Sequence, residues 1–291
     1  MSALLQHGQD QIGFDFKTDF DFDIFPTTTV HQGRLRIFEP TRRPKLCQRD
    51  ITTPWGTVFV NGKLGQGHAD VLEAMFHERE DWRQTDKGAI ELLIDPYKIR
   101  KTANGGKVGS GTQLDAILSD LMQAILDIDI PKPGLGLRVR GHIIDEIVES
   151  KITKTSHGFG KGRKQGEERH LSKVTLGRAF VGLIGGDLHL HYDPKPIAAL
   201  QYGVSQAIAR HIATHRTDPS GGWHLDTLID AVGAGETGKL GNRRRELRKD
   251  AEGLRGLGIL IEEGRVRREG SPEGRRACTK RQLSCTKRQL L

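Results

Sequence analysis

The chain has 291 residues, enough for two modest cores, and its 45 Lys and Arg against 37 Asp and Glu leave a net charge of +8. Three cysteines, Cys47, Cys278 and Cys285, are too few and too scattered for a disulfide framework or a zinc site, and neither a cleavable signal nor a long apolar run is present. A disulfide-built secreted domain and a membrane span are thereby excluded, and a reduced, cytoplasmic protein that needs no cofactor is expected.

The charge is unevenly placed. Residues 1–30 hold five aspartates and one lysine, whereas residues 221–291 hold 16 Lys and Arg against 10 Asp and Glu. A basic C-terminal half implies a polyanionic partner, most simply nucleic acid. In the acidic N-terminus Phe14, Phe16, Phe20, Phe22 and Phe25 alternate with aspartates, so residues 1–50 are predicted to be flexible or extended until a partner orders them. Within it QIGFDF (11–16) loosely resembles the glutamine-led, aromatic-ended peptides that dock in the bacterial sliding clamp, with Phe14 in place of the usual leucine.

From residue 55 the pattern becomes regular. WGTVFV (55–60) predicts a strand, and Leu64, His68, Val71, Leu72 and Met75 lay an apolar stripe along a first helix. A short buried strand at 89–95 and a brief helix at 97–103 follow, the latter ended by Asn104, Gly105 and Gly106. Ser110, Gly111 and Thr112 open a long helix with Leu114, Ile117, Leu118, Leu121, Met122 and Ile125 at helical spacing. That helix carries Asp115, Asp120 and Asp127 and no Lys or Arg from 112 to 127, so it repels phosphate; Lys101, Lys107 and Gln113 are the residues near it that suit the DNA backbone. Long strands are predicted over 137–154, then a Gly-rich basic loop, HGFGKGRKQGEER, at 157–169.

The same order of elements recurs in the C-terminal half. A long amphipathic helix over 194–215 presents Ile197, Leu200, Val204, Ile208 and Ile212; a strand at GGWHL and a short helix with Leu225, Leu228 and Val232, capped by Asp226, come next. From Leu240 a single helix is predicted with Leu240, Leu247, Ala251 and Leu254 on one face, and with Arg244, Arg245, Arg248, Lys249 and Arg255 on the flank and far side. GILIEEGRVRR closes the half as a hairpin about Glu263 and Gly264 with Arg265, Arg267 and Arg268 on the return strand. Helix, turn, basic helix and basic hairpin make a winged helix, whose second helix enters the major groove. The fold expected is therefore α+β: two tandem winged-helix domains, 51–192 and 193–270, after a flexible 1–50 and before a tail at 271–291.

Two motifs compete with this reading. GAGETGK (233–239) fits the phosphate-cradling GxxxxGK, but Leu240 stands where a Ser or Thr would hold magnesium, and 52 residues downstream are too few for the rest of a nucleotide-binding sheet. HLH at 189–191 places His189 and His191 on one face of a strand, as in nucleases that nick origins through a tyrosine; Tyr202 is the tyrosine that follows, with no lysine within a helical turn. A glycine-rich turn and a plain strand are the readings preferred, without metal and without catalysis.

The order of elements, the GKLGQGHADVLEAMF opening of the first domain and the GNRRRELRKDAEGL helix with its wing resemble the tandem winged-helix initiators of plasmid replication, the Rep proteins, over about residues 55–270. The resemblance implies a bacterial protein whose C-terminal domain reads direct repeats at an origin, whose N-terminal domain serves dimerisation and auxiliary DNA contact, and which recruits the host replicative helicase, as a homodimer or monomer. The expected DNA contacts are Arg243, Arg244, Arg245, Arg248, Lys249, Arg255, Arg265, Arg267 and Arg268, with Arg244, Arg245 and Arg248 at the groove because guanidinium forks match guanine. A transcriptional repressor built on the same domains is the alternative, and the nickase a second. The tail repeats CTKRQLS (278–284) as CTKRQLL (285–291); seven codons are 21 base pairs, about two turns of DNA, so the peptide is expected to be encoded by overlapping origin repeats.

Overall fold

A computed structural model describes residues 25–85, 88–132, 135–155, 168–185, 187–235 and 238–269. The clamp-like peptide at 11–16, the basic loop at 157–169 except for its last two residues, and the terminal repeat lie outside the described residues. The fold is α+β. In chain order it runs β1 (Thr28–Thr29), α1 (Val30–Arg34), β2 (Cys47–Thr53), β3 (Gly56–Gly62), α2 (Gln66–Glu78), β4 (Asp81–Gln84), β5 (Ile90–Ile94), α3 (Pro96–Thr102) and α4 (Gly111–Gln123). Then come β6 (Ile125–Lys132), β7 (Leu135–His142), β8 (Ile144–Thr155), β9 (Glu168–Leu176), α5 (Arg178–Gly185), β10 (His189–Leu190), α6 (Lys195–Ala198) and α7 (Gly203–Ala213). The chain ends in β11 (Trp223–His224), α8 (Leu225–Ala231), α9 (Leu240–Lys249), α10 (Ala251–Gly256), β12 (Ile259–Glu262) and β13 (Arg265–Arg268).

Two hydrophobic clusters organise these elements. The first gathers Phe25, Val60, Leu72, Phe76, Leu92, Leu121, Val174 and Phe180 between helices and two four-stranded antiparallel sheets, ordered β2-β3-β6-β7 and β4-β5-β9-β8. The second gathers Ile208, Leu228, Leu247, Leu254 and Val266 around the three-stranded sheet β11-β13-β12.

Four expectations need correction. Residues 25–50 belong to the fold and are no flexible leader: Phe25 is 2% exposed, its ring 5.2 Å from that of Phe76 and 5.3 Å from that of Trp82, and Ile37 is fully buried. Burying such rings offsets the entropy of ordering the segment. The helix expected over 194–215 is broken into α6 and α7, because the Gln201 and Tyr202 amides turn away to the Asp250 carboxylate, at 3.0 and 2.8 Å, and Tyr202 is extended. The helix expected from Leu240 to Leu257 is likewise two, meeting at buried Asp250, so Ala251 is exposed while Leu247 and Leu254 are buried. The N-cap of α8 is His224, and Asp226 lies in its first turn.

In the first half the expected helices α2, α3 and α4 form in order, but α4 stops at Gln123, and Ile125 and Asp127, expected on it, lie on β6 of the β6–β7 hairpin, so the strands begin before the predicted 137–154. The sheet does not copy the second half: β5 pairs with β4 and β9, and β6 pairs with β3, leaving the hairpin without the strand that precedes the helix pair. The long strand β9, itself paired with β8, gives β5 its second backbone partner in place of the hairpin.

Candidate nucleic-acid interface

The second half has the element order of a winged helix, α7, β11, α8, α9, α10, β12 and β13, with β13 central in its sheet. Val266 faces the core from β13, opposite Trp223 and Ile261. The β12–β13 turn is made by Glu263 at φ 46° and Gly264 at φ 75°, the two-residue left-handed turn that suits the twist of a hairpin. Helix α9 is pinned by Leu247, which is 0% exposed, with Leu240 partly buried one face-repeat earlier.

That anchoring sorts the expected arginines. Arg243 shares the inward ridge of α9 with Leu240 and Leu247; it is 13% exposed, donates to the Ala234 carbonyl at 3.3 Å and pairs with Glu246 at 2.8 Å. Its role is to hold the α8–α9 turn. Arg244, 43% exposed, grips Asp226 of α8 with both ends of its fork, and this hydrogen-bonded pairing holds the Asp226 carboxyl below its ordinary range. Arg245, Arg248 and Arg255 are exposed, and their guanidinium groups have no hydrogen bond or ion pair among the described residues. Lys249 is exposed, its ammonium 5.8 Å from the centre of the Tyr202 ring.

On the return strand of the wing Arg267 is exposed and touches the Gly221 carbonyl at 3.3 Å, and Arg265 is half-buried and reaches the Gly222 carbonyl at 3.4 Å. Arg268 is committed to the fold. It binds the Asp218 carboxylate through its backbone amide and guanidinium, donates to the His215 carbonyl at 2.7 Å and lies 5.6 Å from the centre of the Trp223 ring.

In the first half Lys101, Lys107 and Gln113 are exposed on or beside α3 and α4, away from the core. Helix α4 keeps its acidic character, although Asp120 is partly neutralised by Lys63 at 3.1 Å and touches His68 at 3.2 Å. Asp127 leaves the helix for β6 and is held by Arg138 at 2.7 Å, an interaction that lowers its pKa.

The competing motifs have structural explanations. LIDAV is helix α8, not a strand, and Gly233 at φ 74° ends it: the Ala234 amide returns to the Ile229 carbonyl at 2.9 Å and the Gly233 amide to Asp230 at 2.8 Å. The start of GAGETGK is thus the left-handed stop of one helix; Glu236 and Thr237 lie outside the described residues. His189 lies on β10, paired with β1, and burial lowers its pKa. No three His, Cys, Asp or Glu side chains among the described residues are grouped to hold a metal ion.

A buried polar cluster went unread in the sequence. Arg210 of α7 donates to Glu73, Asp70 and Gln66 of α2, Gln206 donates to Asp70 at 3.1 Å, and the Tyr192 hydroxyl donates to Glu73 at 2.8 Å. It joins the two cores. An arginine one turn from the end of an apolar helix face reads as exposed in sequence; only the carboxylates at 70 and 73, on the inward side of a different helix, say otherwise.

No family model matches the chain, and no curated protein matches it. Among solved structures, domains 2 and 3 of RctB as a selenomethionine derivative superpose with a TM-score of 0.48 at 10% identity, covering 82% of this chain and 95% of that one. A second structure of RctB domains 2–3, spanning its residues 155–483, gives 0.47 at 12% identity, covering 81% and 94%. No described helix is long and apolar enough to cross a membrane.

Proposed function

We propose that the chain is a sequence-specific double-stranded DNA-binding initiator of plasmid replication, acting without catalysis of its own. One observation carries the DNA-binding half of this reading: α9 is anchored by Leu247 while Arg245 and Arg248 stand exposed on its other sides without a partner among the described residues. Unpaired guanidinium groups on a rigid, core-anchored helix suit a duplex groove, since binding then neither breaks an ion pair nor orders a loop. Arg248 on the flank of α9, at the edge of that groove, suits a phosphate, as do Arg267 on the wing and Lys249 and Arg255 beside the helix, and such contacts supply affinity and its salt dependence.

The replication half rests on the resemblance to Rep proteins stated from the sequence. It assigns residues 193–270 to origin repeats and 51–192 to dimerisation and auxiliary contact through Lys101, Lys107 and Gln113. It also adds the host helicase, with the sliding clamp as a further partner, in a bacterial cytoplasm. The test uses a duplex carrying two copies of the 21 base pairs that encode the terminal repeat, and a plasmid bearing the gene, its flanking DNA and no other initiator. Binding together with plasmid maintenance supports the proposal. Binding with repression of the gene's own promoter and no maintenance replaces it with a repressor, and a covalent protein–DNA adduct lost in Tyr202→Phe or His189→Ala replaces it with a nickase.

A further inference from the structure

Nine of the ten residues of α9 form three ridges, with Glu246 between the inward and the outer one. Leu240, Arg243 and Leu247 make the inward one, and Gly241, Arg244 and Arg248 make a lateral one beside Asp226 of α8. Asn242, Arg245 and Lys249, spaced at three and four residues, make the ridge opposite the core. All three are exposed. Neither the Asn242 amide nor the Arg245 guanidinium has a hydrogen-bond partner among the described residues, and a side chain built at neighbouring Gly241 would meet nothing within 4 Å.

We propose that Asn242 and Arg245 are the base-reading pair of this chain, Asn242 for an adenine and Arg245 for a guanine. This rests on the DNA-binding reading above and goes beyond it by naming the bases. The chemistry follows from donor and acceptor patterns in the major groove: an asparagine amide matches adenine N6 and N7, and an arginine fork matches guanine O6 and N7. Spacing follows from helix geometry. Three residues advance about 4.5 Å along α9, against about 3.4 Å per base-pair step, so the two side chains meet neighbouring base pairs or pairs one step apart. The other cations are placed for different work. Arg243 is turned inward, the fork of Arg244 is filled by Asp226, and Arg248 lies on the lateral ridge. Lys249, on the outer ridge, is a point charge parked by the Tyr202 ring, without the fork that discriminates bases.

The test is selection from a random-core duplex library by the full chain, with circular dichroism as the check on folding. The wild type is expected to enrich an adenine and a guanine within one or two base pairs of each other. Asn242→Ala should flatten the adenine preference roughly tenfold and leave the guanine, and Arg245→Ala should do the reverse, as expected of bidentate contacts. Arg245→Lys keeps the charge and should still lose the guanine preference while retaining the wild-type salt dependence. Arg248→Ala should weaken every duplex alike. If Asn242→Ala or Arg245→Ala keeps the full wild-type preference and merely binds more weakly, the base-reading assignment is overturned while DNA binding stands. If the wild type enriches no duplex, the DNA-binding reading itself is overturned.

Discussion

The guanidinium of Arg210 on α7 meets the carboxylate of Glu73 on α2 in a two-pronged contact, Nε to Oε1 at 2.9 Å and Nη2 to Oε2 at 2.9 Å, with both side chains essentially excluded from water. Asp70 at 2.7 Å and Gln66 at 2.7 Å take two more donors, and the Glu73 and Asp70 carboxylates hold the guanidinium protonated despite its burial. Burial, together with the Glu73 charge, pushes the Tyr192 phenol well above its ordinary range, so it serves as a donor at any working pH. Arg210→Met leaves the buried Glu73 carboxylate with only the Tyr192 hydroxyl and Asp70 with only the Gln206 amide and a longer contact to Arg42 at 3.8 Å, and is expected to destabilise the protein by about 3–5 kcal/mol. Urea unfolding measures it; a cost below about 1 kcal/mol would mean that the contact is not closed to solvent. Replacing Arg210, Asp70 and Glu73 together by apolar residues should recover much of the loss.

Asp250 joins three helices. Its backbone is the break between α9 and α10, and its carboxylate accepts the Gln201 and Tyr202 amides just before α7. Asp250→Ala leaves the Gln201 and Tyr202 amides without their acceptor, at a cost of about 1–2 kcal/mol. Thermal melts of Asp250→Ala and Asp250→Asn check this, with Asn expected to lose less because it keeps one acceptor oxygen.

His211 and His215 face each other across 3.2 Å between their Nε2 atoms, and both titrate at about 4. Burial is the main cause for each. The pair then lowers His211, together with Arg34 and Arg36, while Arg34 and Arg268 act on His215 against a smaller opposing pull from Asp218. Between about pH 6.5 and about pH 4 the unfolded chain binds protons that the folded one refuses. Their contribution is therefore complete above about 6.5 and is lost as the pH falls toward 4. The urea midpoint should drop between about pH 7 and about pH 5, and His211→Gln/His215→Gln should drop less. Equal drops in the two proteins would show that the histidines are solvated.

Arg248 and Leu247 are neighbours in sequence with opposite tasks. Arg248→Ala should leave circular dichroism and the urea midpoint unchanged and reduce the slope of log affinity against log salt by about 1, as loss of one phosphate contact does. Leu247→Asp buries a carboxylate among Leu228, Leu254 and Val266 and should unfold the second half, with binding lost at every salt concentration. Anisotropy titrations over a salt series, paired with circular dichroism, separate the two. A Leu247→Asp protein that stays folded would show α9 to be loosely docked.

Arg268→Ala provides the contrast within the wing. Its guanidinium binds Asp218 and the His215 carbonyl, so the substitution should lower the melting temperature by several degrees, about 1–2 kcal/mol, whereas Arg267→Ala should not. A fall in DNA affinity for Arg268→Ala without a fall in stability would move it from the fold to the interface.

What the amino-acid order determined by itself is local. Leu247 and Leu254 at helical spacing, the Glu263–Gly264 turn between β-rich runs and the arginines around Leu247 each follow from periodicity and turn chemistry, which act over a few residues. The tertiary structure alone decided which arginines are spent. Arg244 is occupied by Asp226 from α8, Arg268 by Asp218, and Arg210 by α2, while Asp250 breaks its helix to serve amides nearly fifty residues earlier. It also decided that β5 joins β9, with Ile94 opposite Ser172 and Ile90 opposite Leu176, and that Phe25 enters the core. A charge or a strand edge has many partners of equal chemistry along the chain, and only the packing of remote segments brings one of them within hydrogen-bonding distance.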